Sequence, residues 1–193
     1  MINRKSFRRS LIAPCALICI ATACAAQTVA MTERPNFTGT WRLNRELSDK
    51  PQEKVKEAVG KKGALGRMIG GRAAQGRMQD RMKNNEALAE VLRIIHNDPE
   101  FQVTGNNNFS RQLFTDGRKV SATTPKGESF ETTARWQGSQ LVVVTQRANG
   151  GKLTQTYTLG QGGEQMIVLI QIAGQRLDRP IEIRFVYDAE AGR

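Results

Sequence analysis

Hydrophobic and polar residues alternate over residues 37–44. Phe37, Gly39, Trp41 and Leu43 fall on one face, and Thr38, Thr40, Arg42 and Asn44 on the other. This is the two-residue period of a strand with one buried side. The same period returns from residue 101 onward. Phe130, Ala134 and Trp136 form one apolar face, and Leu153, Tyr157 and Leu159 another. Met166, Val168, Ile170 and Ile172 follow, then Ile181, Ile183, Phe185 and Tyr187, with Thr, Glu, Arg and Gln opposite. Turn signals separate these runs at Gly105–Asn108, Asp116-Gly117, Pro125–Gly127, Gly138-Ser139, Asn149–Gly151, Gly160–Gly163 and Ala173–Gln175. A turn about every 8–12 residues is the rhythm of hairpins in an all-β sandwich or barrel. Asp116-Gly117 reads as a tight turn, because glycine supplies the positive φ such turns need.

The stretch 51–95 breaks the pattern. Gly60, Gly63, Gly66, Gly70, Gly71 and Gly76 are interspersed with Lys61, Lys62, Arg67, Arg72, Arg77, Arg81 and Lys83. Val55 and Val59, then Leu65, Met68 and Ile69, then Met78 and Met82 keep helical spacings. Each glycine costs a helix about 1 kcal/mol relative to alanine, so a partly helical, basic insertion is expected. Leu88, Val91, Leu92 and Ile95 fit a helical face behind an Asn84 or Asn85 cap. The β-branched residues of 91–96 fit a strand as well, and both readings stand.

Residues 1–30 read as an export signal. Arg4, Lys5, Arg8 and Arg9 make a basic start without acids, Leu11–Ala26 is apolar, and small residues offer cleavage after Ala25, Ala26 or Ala30. The apolar run is short for a bilayer, which takes roughly 20 residues. Ile20-Ala21-Thr22-Ala23-Cys24 resembles a bacterial lipobox, which would make Cys24 a lipidated N-terminus. Arg8-Arg9-Ser10-Leu11-Ile12 loosely resembles a twin-arginine signal, although a plain secretory route needs no such pair. Periplasm, outer-membrane association or secretion are the expected destinations.

Removal of the signal changes the composition. Cys15, Cys19 and Cys24 all lie within it, so residues 31–193 hold no disulfide and no thiol nucleophile. Roughly 160 residues suffice for one domain with its own core. Four positive charges leave with the signal, taking the formal net charge from +11 to +7. That balance favours anionic surfaces. The basic residues of the insertion are therefore candidates for contact with an anionic membrane or cell-wall polymer. A solvated loop explains them equally. Nucleic acid is not expected, because residues 51–100 hold no aromatic on which bases could stack.

Catalytic chemistry is thin. His96 is the one histidine, so multi-histidine metal sites are excluded. It stands near Asp98, either as a general base or as a turn residue beside Pro99. Glu128 with Glu131, and Asp178 with Glu182, are the carboxylate pairs to weigh for acid–base work, which needs a desolvated carboxyl. No phosphate-cradling glycine loop follows a strand and opens a helix. No catalytic residue, metal or cofactor is assigned.

Thr38-Gly39-Thr40-Trp41-Arg42-Leu43 resembles the Gly-x-Trp opening strand of lipocalins and fatty-acid-binding proteins. Ala134-Arg135-Trp136-Gln137-Gly138, Tyr157-Thr158-Leu159 and Phe185-Val186-Tyr187-Asp188 look like pieces of exported bacterial lipocalin-like (calycin) proteins. The resemblance covers residues 36–50 and 100–188. It implies a mostly β, antiparallel, up-and-down barrel, with the basic insertion after the first strand. It implies that Gly39 and Trp41 plug one barrel end. The resemblance carries no ligand, but the aromatics on the inward phase, Phe130, Trp136, Tyr157, Phe185 and Tyr187, are candidates to line a cavity for a small apolar or amphipathic molecule. Fatty-acid-binding proteins hold a carboxylate with Arg-x-Tyr on the last strand. Here the spacing is Arg184-Phe185-Val186-Tyr187, which points Arg184 and Tyr187 to opposite faces. A filled barrel acting as an envelope scaffold, and a small hydrolase or isomerase, are the competing readings.

Overall fold

The computed structural model describes residues 34–60, 89–124, 127–174, 177 and 179–190. Ten strands and one helix make up the described fold: β1 (Gly39–Leu43), α1 (Pro51–Gly60), β2 (Val91–Asn97), β3 (Glu100–Gly105), β4 (Ser110–Phe114), β5 (Val120–Thr123), β6 (Ser129–Gln137), β7 (Gln140–Arg147), β8 (Lys152–Leu159), β9 (Gln165–Ala173) and β10 (Ile181–Ala189). The strands form one antiparallel sheet in the order β4-β3-β2-β1-β10-β9-β8-β7-β6-β5. Consecutive strands pair except β4 with β5, and the first strand also pairs with the last, with Trp41 opposite Ala189 and Leu43 opposite Tyr187. The sheet curls into a nearly closed up-and-down barrel. Its seam lies between β4 and β5, and a bridge from Asp116 to Arg135 of β6 draws it together at one end.

Alternation decides the core. Phe37, Trp41, Leu92, Phe101, Val103, Leu141, Val143, Tyr157, Met166 and Ile183 are completely buried, each from the inward phase of the chain or its approach to β1. The faces expected at 130–136, 153–159, 166–172 and 181–187 all point inward. No Asp or Glu occupies the inward phase of any described strand.

Two expectations are corrected. The basic insertion does not extend to residue 95, because Val91–Asn97 is a strand with Leu92 and Ile94 buried between β1 and β3. The β-branched residues follow tertiary pairing here over the helical spacing. Asp116-Gly117 turns the chain, with Gly117 at φ +85°, but it does not close a hairpin. Asp116 accepts the backbone N–H of Arg118 at 3.0 Å, and a Cβ on Gly117 would strike the Arg135 side chain. The chain therefore leaves β4 and pairs β5 with β6 instead.

The segment after β1 continues along the β10 edge. The backbone N–H groups of Arg184 and Val186 donate to Asp49 Oδ2 at 2.8 Å and Ser48 Oγ at 2.9 Å. The Asn44 and Asp49 N–H groups donate to the carbonyls of Val186 and Arg184, both at 2.8 Å. Side chains thus complete what a longer β1 would supply. Arg184 lies outside the barrel and donates to the Leu47 carbonyl at 3.0 Å.

Candidate functional site

One end of the barrel is filled. Phe37 packs edge-on against Phe101 and Tyr157 and stacks on Trp136, with ring centres 5.9, 6.2 and 6.0 Å away. Trp41 is fully buried, and its indole N–H donates to the Phe37 carbonyl at 2.9 Å. Gly39 holds φ +150°, a conformation side-chain-bearing residues rarely adopt, and admits the chain to β1 at this point. Such aromatic packing adds about 0.5–1.5 kcal/mol per pair beyond area burial.

His96 and Asp98 belong to this end. The His96 ring packs against Phe37, Phe101 and Trp136. Its Nδ1 accepts the Phe37 N–H at 3.4 Å and its Nε2 lies 3.0 Å from Asp98 Oδ1. With Nδ1 accepting, Nε2 carries the hydrogen and donates it to Asp98, so the ring's one lone pair is already taken. Asp98 also accepts from Thr115 Oγ1 at 2.6 Å, Trp136 Nε1 at 3.4 Å and Arg34 Nη1 at 3.2 Å. Burial alone would raise its pKa. The hydrogen bonds from Thr115, His96, Arg34 and Trp136 outweigh burial together and lower it to about 2. Beside it opens a surface pocket of about 480 Å³ lined by Arg34, Asp98, Pro99, Thr115, Asp116, Arg135 and Trp136. The Arg34 guanidinium sits 5.8 Å from the Trp136 ring centre. A partly exposed anion held by four side-chain partners at this pocket is a structural latch, not an acid poised to give up a proton.

Toward the opposite end, where residues 44–90 enter and leave, the interior changes character. Thr132 and Thr145 share a hydrogen bond of 3.1 Å inside the sheet. Gln155 is completely buried at the middle of β8. Arg111 of β4 reaches across the barrel, and its Nη1 donates to Gln155 Oε1 at 3.0 Å. Its Nε and Nη2 are screened from solvent and have no hydrogen-bond partner. A guanidinium cannot lose its proton to escape such surroundings. Leaving screened donors unpaired costs about 1–3 kcal/mol, and more when they are charged. Phe130, Leu153 and Ile172 share this interior phase and are only partly buried.

The expected lining residues divide between the two regions. Tyr157, Phe185 and Tyr187 lie in the packed core, with exposures of 0%, 2% and 1%. Trp136 stands at the filled end and faces the surface pocket. Phe130 lies toward the insertion end. Lys61, Lys62, Arg67, Arg72, Arg77, Arg81, Lys83, Cys24 and Asp178 fall outside the described residues. Glu128 and Glu131 are exposed and paired with Arg147 and Lys119 at 3.5 and 3.0 Å. Among the described residues no cluster of His, Cys, Asp or Glu could hold a metal ion. Sequence reasoning missed Arg111 and Gln155. Their signal was phase: Arg111, Leu113 and Thr115 alternate together, as do Leu153, Gln155 and Tyr157.

Comparison with known structures finds the same architecture. The "REP1-NXSQ fatty acid transporter" is 12% identical, with a TM-score of 0.50 over 81% of this chain and 97% of that one. Caenorhabditis elegans lipid binding protein 8, in its apo form, is 15% identical, with a TM-score of 0.50 over 80% of this chain and 95% of that one. At these identities the likeness is one of fold. No family model and no curated protein matches the chain.

Proposed function

We propose that this protein is an exported lipocalin-like barrel that binds a small apolar or amphipathic ligand and performs no catalysis. One observation carries the reading. Within a largely apolar inward face, Arg111 Nε and Nη2 are screened from solvent without a partner, and Phe130, Leu153 and Ile172 of the same phase are only partly buried. A ligand entering there would bury apolar surface already gathered by the sheet, worth roughly 25 cal/mol per Å². The two solved barrels of like fold are named for fatty acid transport and lipid binding, which fits a container of this kind. The absence of catalysis is supported by the engaged His96–Asp98 pair and by the exposed, ion-paired Glu128 and Glu131. Export rests on the leader-like residues 1–30, and an intact-mass measurement of the protein from its own host tests it. A mass beginning at Met1 would refute it.

Native mass spectrometry of the same material, together with uptake of the neutral fluorophore Nile red, tests the container. We expect a bound small molecule and saturable uptake. A ligand-free barrel that takes up no fluorophore would leave the filled scaffold as the function.

A further inference from the structure

We propose that Arg111 is an anion-binding residue inside the barrel that selects a carboxylate-bearing amphipath. The proposal rests on the container reading above and names the ligand's polar end. The three guanidinium nitrogens are not equivalent. Nη1 is taken by Gln155 Oε1 at 3.0 Å. Nε and Nη2 remain, both without a partner. These two share one edge of the planar group, with parallel N–H bonds spaced to meet the two oxygens of a carboxylate. Gln155 fixes the plane from the far side, since it is completely buried on β8.

The described strands offer that edge no counter-charge. No Asp or Glu stands on the inward phase of any described strand. The same inward phase carries the Thr132–Thr145 hydroxyl pair and the apolar Leu113, Leu153 and Ile172. Among the described residues the cation is held by Gln155 and faces no carboxylate on a largely apolar inward phase, which matches an acid head followed by a hydrocarbon tail. The position is not the one implied by the last strand. Arg184 lies outside the barrel, bonded to the Leu47 carbonyl, and Arg111 comes from β4 beside the seam. The edge is screened, so an entering acid must displace side chains over it.

The test is calorimetric titration of the full chain at pH 7.5 with three ligands of one tail length: dodecanoate, 1-dodecanol and dodecyl phosphate. The wild type should bind dodecanoate about tenfold or more tighter than dodecanol, the difference expected of charge-assisted bonds. Arg111→Leu should level the two by weakening the acid and leaving the alcohol unchanged, and Arg111→Lys should keep part of the preference. Equal wild-type binding of acid and alcohol, or a preference surviving in Arg111→Leu, overturns the assignment and leaves the container intact. A preference for dodecyl phosphate over dodecanoate overturns the carboxylate specificity. Failure of all three ligands and of Nile red overturns the container as well. If Arg111→Leu does not fold, the wild-type comparison and Arg111→Lys decide.

Discussion

At the scale of single residues, two charged groups are treated in different ways. Asp98, partly exposed at the barrel end, accepts from four side-chain partners, whereas the screened Arg111 keeps one edge unpartnered. Asp98 therefore carries a pH signature. Its folded pKa of about 2 lies below the ordinary value of 3.8. A lowered carboxylate pKa stabilises the fold above the ordinary value, and the contribution is lost as pH falls from about 4 through 2. Denaturation followed across that range should show the wild type losing stability more steeply than Asp98→Asn. Parallel curves would remove Asp98 from its role as a latch. Trp41 tests the packed end. Trp41→Ala should cost about 3–5 kcal/mol in urea unfolding, the usual range for an aromatic side chain lost from a core.

At the scale of elements, β10 is the strand on which closure depends. It runs for nine residues, yet β1 covers only its Tyr187–Ala189 end. Ser48 and Asp49 serve the remaining N–H groups. Ser48→Ala and Asp49→Ala should each destabilise by about 1–3 kcal/mol, because an edge N–H loses its acceptor. Hydrogen exchange should show the loss first at Arg184 and Val186. Uniform exchange along β10 in the variants would mean that the segment 44–49 merely lies beside the strand. The seam makes a second claim of this kind. Gly117→Ala meets both a positive φ and the Arg135 side chain, so it should destabilise by about 1 kcal/mol or more.

For the whole molecule, a ligand seated at Arg111, away from the aromatic packing around Trp41, would couple stability and binding unevenly. A ligand held only by the folded barrel adds about 2.7 kcal/mol at a hundredfold excess over its Kd. Thermal unfolding with dodecanoate should rise accordingly. Leu141→Ala in the packed end should lower the unliganded midpoint while leaving this ligand-induced rise unchanged. A variant that lost both together would place the ligand among the fully buried residues.

The sequence by itself determined the strands, their faces and most of their turns. Alternation and turn chemistry are local, and Gly39-Thr40-Trp41 with the later hairpins announced a closed β architecture before any contact was known. It also determined that Arg184 could not share a face with Tyr187, since that follows from the period of two alone. Tertiary structure decided the rest. It made a strand of Val91–Asn97, because pairing to β1 and β3 outweighs a helical spacing that local propensity leaves balanced. It placed the seam after β4 and drew it together at Asp116 through a bridge to Arg135, nearly twenty residues away. It brought Arg111 and Gln155 together from strands far apart in the sheet. Phase along one strand says which way a side chain points. What it meets across the barrel is set by closure and register, which no single segment encodes.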